Sequence, residues 1–344
     1  MILLACGRRT KIIEHGLFAP SRLESVIGQD GVCSINFNKE ITFWTFADTI
    51  TGKWKCDKGR QLADKNEAVI DGMLSNSLAW SQKITAENVT SIKLNFYREN
   101  GRVSQFIKNR SGEDPRKHRF WALDGFRSGN RLYVYYLHVF VPDHMKPLGF
   151  EVLYTGIARW DIPDKWTPGD KINFRRLGPF FNRGMPYFGA AVMVKDGYVY
   201  LAGHFKKNDS VFPLSFAKVQ ECKVEDPGAY SFLSKTGNWT RDIKDRGEFF
   251  GDISGECSLA FNDYLKEYII IYSKVFTGDV CLVRFKNFKD LTSAGTEIMY
   301  RVRREKTSGM WSYSAKEIFS AGQSLFLIYI DPDRYQPILL EIKY

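Results

Sequence analysis

Short runs rich in Tyr, Val, Ile and Phe alternate with polar turns along the whole chain, and no sustained helical period appears. Such runs read as strands, and two of them flanking a short polar or glycine-bearing turn read as a hairpin. Five second strands of this kind fall at 41–46, 131–136, 198–201, 268–272 and 325–329. They follow turns at 38–40, 128–130, 195–197, 262–267 and 321–323, and first strands around 30–37, 119–127, 187–194, 255–261 and 311–319.

Most hairpins are followed by two further strand-like segments. These lie at 77–82 and 92–97, at 151–160 and 171–175, at 215–221 and near Trp239, and at 280–285 and 297–302. After the fifth hairpin only 338–343 remains. Four groups of four strands and one of three is the count of an all-β, five-bladed β-propeller whose last blade is closed by an N-terminal strand. Residues 11–13 are the candidate for that strand. An irregular β-sandwich is the competing architecture, and the matched hairpins favour the propeller. The expected organisation is one domain over 9–344, preceded by a short N-terminal segment at 1–8.

Charge and cysteine usage narrow the chemistry. The 344 residues carry a net charge of +10, but the basic residues are scattered and form no recognisable nucleic-acid module, so no nucleic-acid partner is expected. No run approaches the roughly 18 apolar residues of a spanning helix. The six cysteines, at 6, 33, 56, 222, 257 and 281, show no CxxC or His/Cys ligand spacing, and no oxygen-ligand loop for calcium is visible. Neither a metal nor another cofactor is implied. A monomer is expected.

The chain opens Met-Ile-Leu-Leu-Ala-Cys-Gly, and Leu3-Leu4-Ala5-Cys6 resembles a bacterial lipobox, in which the cysteine is lipidated. The basic start and apolar stretch of about 7–15 residues that complete such a signal are missing, so the match is either a remnant of one or chance in a short apolar stretch. The remnant reading makes Cys6 a lipidation site, with membrane anchoring and an envelope or extracellular location.

In a propeller the first strands line the central channel, so an acid at the start of a first strand and one at the end of a second strand point to the same mouth. Asp30 and Asp48 hold these places in the first hairpin, and their midpoint is Lys39 in the turn, which sets them opposite each other. Two facing carboxylates repel, and one is expected to keep its proton to higher pH. Glycosidic bond cleavage needs such an acid and base from two like side chains. The plainer alternative makes Asp30 a turn entry and Asp48 a strand-end cap. Asp124, Glu256 and Glu317 fall on other first strands, and Trp44, Trp121, Tyr187, Phe188, Trp311 and Tyr313 are available for stacking, although an aromatic on such a strand is more often core.

Gly28-Gln-Asp-Gly-Val-Cys-Ser34 followed by Ile41-Thr-Phe-Trp-Thr-Phe-Ala-Asp-Thr49 resembles the opening of a bacterial five-bladed propeller family long catalogued as a domain of unknown function, some members of which are endo-D-arabinanases. Asn76-Ser-Leu-Ala79, Phe120-Trp-Ala-Leu-Asp124, Tyr187-Phe-Gly-Ala-Ala191, Glu256-Cys-Ser-Leu259 and Ala315-Lys-Glu317 echo it in order across nearly the whole chain. The resemblance implies a glycoside hydrolase acting on a polysaccharide or oligosaccharide, an arabinan-like glycan first, with Asp30 and Asp48 as the catalytic pair. Asn76, Trp121, Asp124, Tyr187, Glu256, Tyr313, Lys316 and Glu317 become candidate substrate-binding residues. Ala47 replaces the usual glycine before Asp48, and Ile318-Phe319 stand where many relatives have His-Pro. A non-catalytic glycan-binding propeller is the alternative.

Overall fold

A computed structural model describes residues 10–142, 149–303 and 309–344, which form an all-β chain. Cys6 and the rest of the lipobox-like segment lie outside the described residues.

The five hairpins form where the alternation of side chains places them. They pair Cys33–Asn36 with Ile41–Phe46, His118–Ser128 with Arg131–Phe140, Ala191–Lys195 with Tyr198–His204, Ile253–Asn262 with Glu267–Lys274, and Tyr313–Ala321 with Ser324–Asp331. Each begins an antiparallel meander, numbered here as sheets one to five. Sheet one continues with Ser77–Gln82 and Asn95–Phe96, and sheet two with Glu151–Asp161 and Arg175–Asn182. Sheet three adds Leu214–Gln220, Ser231–Leu233 and Trp239–Thr240, and sheet four adds Val280–Phe285 and Thr296–Tyr300. Sheet five adds Gln336–Lys343 and takes Lys11–Leu17 as its outer strand, with Lys11 opposite Lys343 and Leu17 opposite Ile338.

First strands of consecutive sheets touch, and the first strand of sheet five returns to that of sheet one. Second strands are therefore covered on both faces, which is why Arg131–Phe140 is buried over nearly its whole length instead of alternating. Aromatic side chains fill the space between sheets. Phe37, Phe43, Phe120, Tyr136 and Trp160 form one such cluster with Trp80 and Trp166 at its margin. Trp44, whose indole N–H donates to Ser81 Oγ at 2.9 Å, and Phe188 are fully buried, so these two aromatics are core and not stacking platforms.

The structure departs from the sequence expectation in several places, one being that sheet three has five strands where four are expected, through the addition of Ser231–Leu233. The fourth strand of sheet two is Arg175–Asn182 and not 171–175. Thr167 and Asp170 close a turn in which the Thr167 backbone N–H and hydroxyl both donate to the Asp170 carboxylate, at 2.8 and 2.9 Å, and this delays the strand. A further antiparallel sheet joins Val26–Gln29, which precedes the first strand of sheet one, to Thr49–Trp54 and Ala68–Leu74, which lie in sequence between its second and third strands. It extends the same hairpin outward, because Gln29 stays opposite Thr49 in the register that sets Cys33 opposite Thr45.

Between these two ladders the chain is irregular at Asp30–Val32, and Gly31 takes φ +63° with its Cα close against Ala47. A Cβ there would lie 2.6 Å from the Ala47 Cβ and 2.9 Å from the Ala47 nitrogen. Gly31→Ala is therefore expected to cost about 2–4 kcal/mol from the left-handed backbone and the overpacking together. Urea unfolding of Gly31→Ala and of Gly31→Ala/Ala47→Gly measures this. The double variant removes the contact with the Ala47 Cβ but not the approach to the backbone nitrogen or the left-handed strain, so it should recover only part of the loss; equal midpoints for wild type and Gly31→Ala would show that this approach is not a constraint.

Candidate functional site

The site starts from a backbone pairing. Asp30 N–H donates to the Asp48 carbonyl at 3.2 Å, and Ala47 N–H donates to the Asp30 carbonyl at 3.1 Å, so the two aspartates leave the first hairpin side by side. Below them Gln29 Nε2 donates to the hydroxyls of Thr49 and Ser77 at 3.3 and 2.9 Å, and Thr49 donates to the Ala47 carbonyl at 3.2 Å. This buried polar set ties the two chain segments that carry the carboxylates.

The two carboxyl groups meet different surroundings. Asp30 Oδ2 accepts from the Tyr313 and Tyr335 hydroxyls, at 2.9 and 2.8 Å, while Oδ1 is buried without a partner. Burial, followed by the neighbouring charges of Asp48 and Glu256, pushes the Asp30 carboxyl up to about 8, against the pull of the two tyrosines. At neutral pH it holds its proton. Asp48 Oδ1 accepts from Arg119 Nη2 at 2.6 Å and from the Trp121 indole N–H at 2.9 Å. Arg119 and Trp121 are two apart on the first strand of sheet two, hence on one face. Burial holds the Asp48 carboxyl above its ordinary value, and the Arg119 guanidinium with the indole hydrogen bond offsets only part of that rise. An ion pair on Asp48 and none on Asp30 makes Asp48 the ionised member. The Asp48 side chain is 15% exposed; surface cavities lie elsewhere, on the outer part of sheet five and beside sheet one.

Glu256, Lys316, Ser314 and Cys33 form a second group. Lys316 Nζ donates to Cys33 Sγ at 3.3 Å and lies 3.7 Å from Glu256 Oε2, which also accepts from the Ser314 hydroxyl. Burial would raise the Glu256 carboxyl, but Lys316 and that hydroxyl outweigh it and leave it below the ordinary range. The first strands carry bulges at Leu123–Asp124, Gly255–Glu256 and Ser314–Ala315, so these side chains leave the regular alternation of their strands. Asp124 spends both oxygens on backbone amides, those of Gly125 and Val192, each at 2.8 Å, so it pins sheet two to sheet three. Burial still raises it to about 6.

Of the residues singled out in the sequence, Asp30, Asp48, Trp121, Tyr313, Glu256 and Lys316 thus come together through direct contacts or charge coupling. Tyr187 stands one group away, its ring edge-on to His204, whose Nδ1 is buried and unpartnered. Asn76 does not join them. Its amide donates to the carbonyls of Ile107 and Phe120 and accepts from the N–H groups of Phe106 and Ile107, which uses its full hydrogen-bonding capacity in a fully buried place. The expected substrate-binding role is corrected to a scaffold role. Glu317 lies further along its strand, its carboxyl bonded to Ser320 and raised by burial to about 7, so it too stands apart from the pair. The sequence reading missed Arg119 and Tyr335. Arg119 could have been found as the residue two before Trp121 on the same strand face; Tyr335 sits in a turn at φ +56°, and no local signal marks it. Among the described residues no group of three or more His, Cys, Asp or Glu side chains could hold a metal ion.

The family model described as "Domain of unknown function (DUF4185)" matches residues 26–323. No curated protein sequence matches the chain. Among solved structures, a Bacteroides ovatus protein provisionally described as a hydrolase superposes with a TM-score of 0.69 at 13% identity, covering 99% of this chain and 93% of that one. The family 117 glycoside hydrolase Zg3597 of Zobellia galactanivorans gives 0.50 at 10% identity, with 97% and 90% covered. A GH43_1 enzyme of Xanthomonas citri gives 0.50 at 13% identity, with 94% and 91% covered. The fold is one shared with glycoside hydrolases.

The protonation of Asp30 has a consequence for stability. Its carboxyl rises from an ordinary 3.8 to about 8 on folding, so the folded chain binds this proton more tightly than the unfolded chain. The contribution is full below about pH 4 and is lost as pH rises through about 8. Asp30→Asn cannot titrate there, so its melting temperature should exceed that of wild type by a margin that widens from pH 5 to pH 9. A constant margin across that range would show that Asp30 is already ionised in the folded protein.

Proposed function

The chain belongs to the DUF4185 family, and we propose that it is a glycoside hydrolase acting on a polysaccharide, with an arabinan-like glycan as the first substrate to try. In this reading the five sheets are the blades of a five-bladed propeller closed by the Lys11–Leu17 strand, and the carboxylate pair stands at the mouth of its channel. The observation that carries the reading is the unequal environment of two adjacent buried carboxyl groups, one facing only tyrosine hydroxyls, the other held by a guanidinium. Glycosidic cleavage uses that inequality. Asp30 donates its proton to the leaving oxygen, and Asp48 acts on the opposite side of the bond, as base toward water or as nucleophile. Arg119 and Trp121 orient Asp48 and keep it ionised; Tyr313 and Tyr335 orient Asp30. Glu256 and Lys316 are available to receive sugar hydroxyls beside the pair.

Reducing-end release from arabinans, arabinogalactans and other glycans tests this. Asp30→Asn and Asp48→Asn should each lower turnover by at least about 10³-fold with the fold intact, and kcat should fall as pH rises through about 8, where Asp30 loses its proton. Glu256→Gln should bind more weakly but still turn over; a loss as deep as either aspartate variant would show that the pair is wrongly chosen. Product from neither variant nor wild type, with measurable glycan binding, would favour a binding propeller.

Export to the cell envelope through lipid attachment at Cys6 completes the proposal, since a polysaccharide substrate lies outside the cell. Cells fed a radiolabelled fatty acid should label the wild-type protein expressed from its own locus and not Cys6→Ser. Absence of label in both would remove the anchor.

A further inference from the structure

Apart from the carboxylate pair, the most unusual buried charge in the described chain is Arg22. It lies in the short turn Pro20–Glu24 that leads into Val26–Gln29, it is 1% exposed, and Nε, Nη1 and Nη2 all lack a hydrogen-bond partner. The neighbouring Ser21 hydroxyl is also buried and unpartnered. No ion pair joins Arg22 to any carboxylate among the described residues. Of the acids that line the cavity beside it, Glu99 and Asp170 are committed to Lys108 and Thr167, and Glu24 at the end of the turn is exposed and makes no ion pair with Arg22. Nor can the turn easily swing outward: Arg22 N–H is bonded to the Ala19 carbonyl, Ser25 N–H to the Arg22 carbonyl, and the Trp54 indole to the Leu23 carbonyl at 2.7 Å.

A guanidinium offers five donors in a planar fork, and leaving it buried and unpaired is among the most costly arrangements a fold can hold. Arg22 and Ser21 are among the residues that line this cavity of about 910 Å³, whose walls also include Trp80, Tyr97, Lys171 and the acids Glu24, Glu99 and Asp170. We infer that this cavity is a binding site for an oxyanion, a carboxylate or a phosphate group, received by Arg22 as a bidentate partner with Ser21 donating beside it. Two parallel N–H···O bonds to such a group would satisfy the fork in the way no protein side chain does, and Lys171 at the rim adds attraction for an anion. The site lies beside sheet one, away from Asp30 and Asp48, and the inference stands whether or not the chain cleaves glycans.

Thermal unfolding of the full chain with sodium phosphate, sodium D-glucuronate or D-glucose, each matched in ionic strength with sodium chloride, tests it. Wild type should show a saturable rise in melting temperature, about 4 °C at 100-fold above Kd, with phosphate, with glucuronate or with both, and none with glucose. Which anion acts distinguishes a phosphate-bearing from a carboxylate-bearing ligand. Arg22→Met should lose the rise, and Arg22→Lys, which keeps the charge without the fork, should bind at least about 10-fold more weakly. No saturable rise in wild type with either anion overturns the inference, as does an undiminished rise in Arg22→Met. Should Arg22→Met fail to fold, Arg22→Lys binding as tightly as wild type overturns it equally.

Discussion

Two like charges cannot both ionise where water is scarce, and the backbone of the first hairpin puts two carboxyl groups in that position. Asp30 N–H donates to the Asp48 carbonyl and Ala47 N–H donates to the Asp30 carbonyl, beside a tight glycine contact. The pairing is a matter of register, which side-chain adjustment cannot relax. Whatever the remaining sheets contribute to the site, they contribute by deciding which carboxyl keeps the proton.

They decide it from opposite sides. Sheet two presents Arg119 and Trp121 to Asp48, an ion pair at 2.6 Å backed by an indole hydrogen bond. Sheet five presents Tyr313 and Tyr335 to Asp30, neutral donors that fix its orientation without compensating a charge. A guanidinium on one side and phenols on the other give two adjacent carboxyl groups unequal surroundings. The meeting of first strands from all five sheets, with the last returning to the first, is what lets residues nearly three hundred positions apart in sequence share one carboxyl group.

Beneath the pair, a lysine, a carboxylate and a thiol are buried together. Such groups are costly to desolvate and contribute little net stability over an apolar filling. Their presence at the meeting of the first strands, next to bulges that free side chains from the strand alternation, shows that this part of the fold is arranged around polar groups and not around packing density. Asp124 shows the opposite use of a similar residue type. It faces backbone amides, both its oxygens are occupied, and it holds two sheets together.

The five hairpins and the facing of Asp30 and Asp48 were legible in the sequence. Period-two alternation and turn chemistry are local properties, and a hairpin's midpoint sets its pairing. The closing strand near Lys11 was legible for a related reason, since the last hairpin leaves an edge that another strand must cover. What tertiary structure decided was the function of side chains that local pattern makes equivalent. Asn76 and Lys316 both stand in recurring motifs, yet one is consumed by four backbone groups and the other reaches a thiol and a carboxylate. Arg119 and Tyr335 matter because of what they meet across the ring, and Arg22 because of what it fails to meet. Charge and burial at a point are sums over every element that converges there, and a linear pattern carries the terms of that sum without their distances.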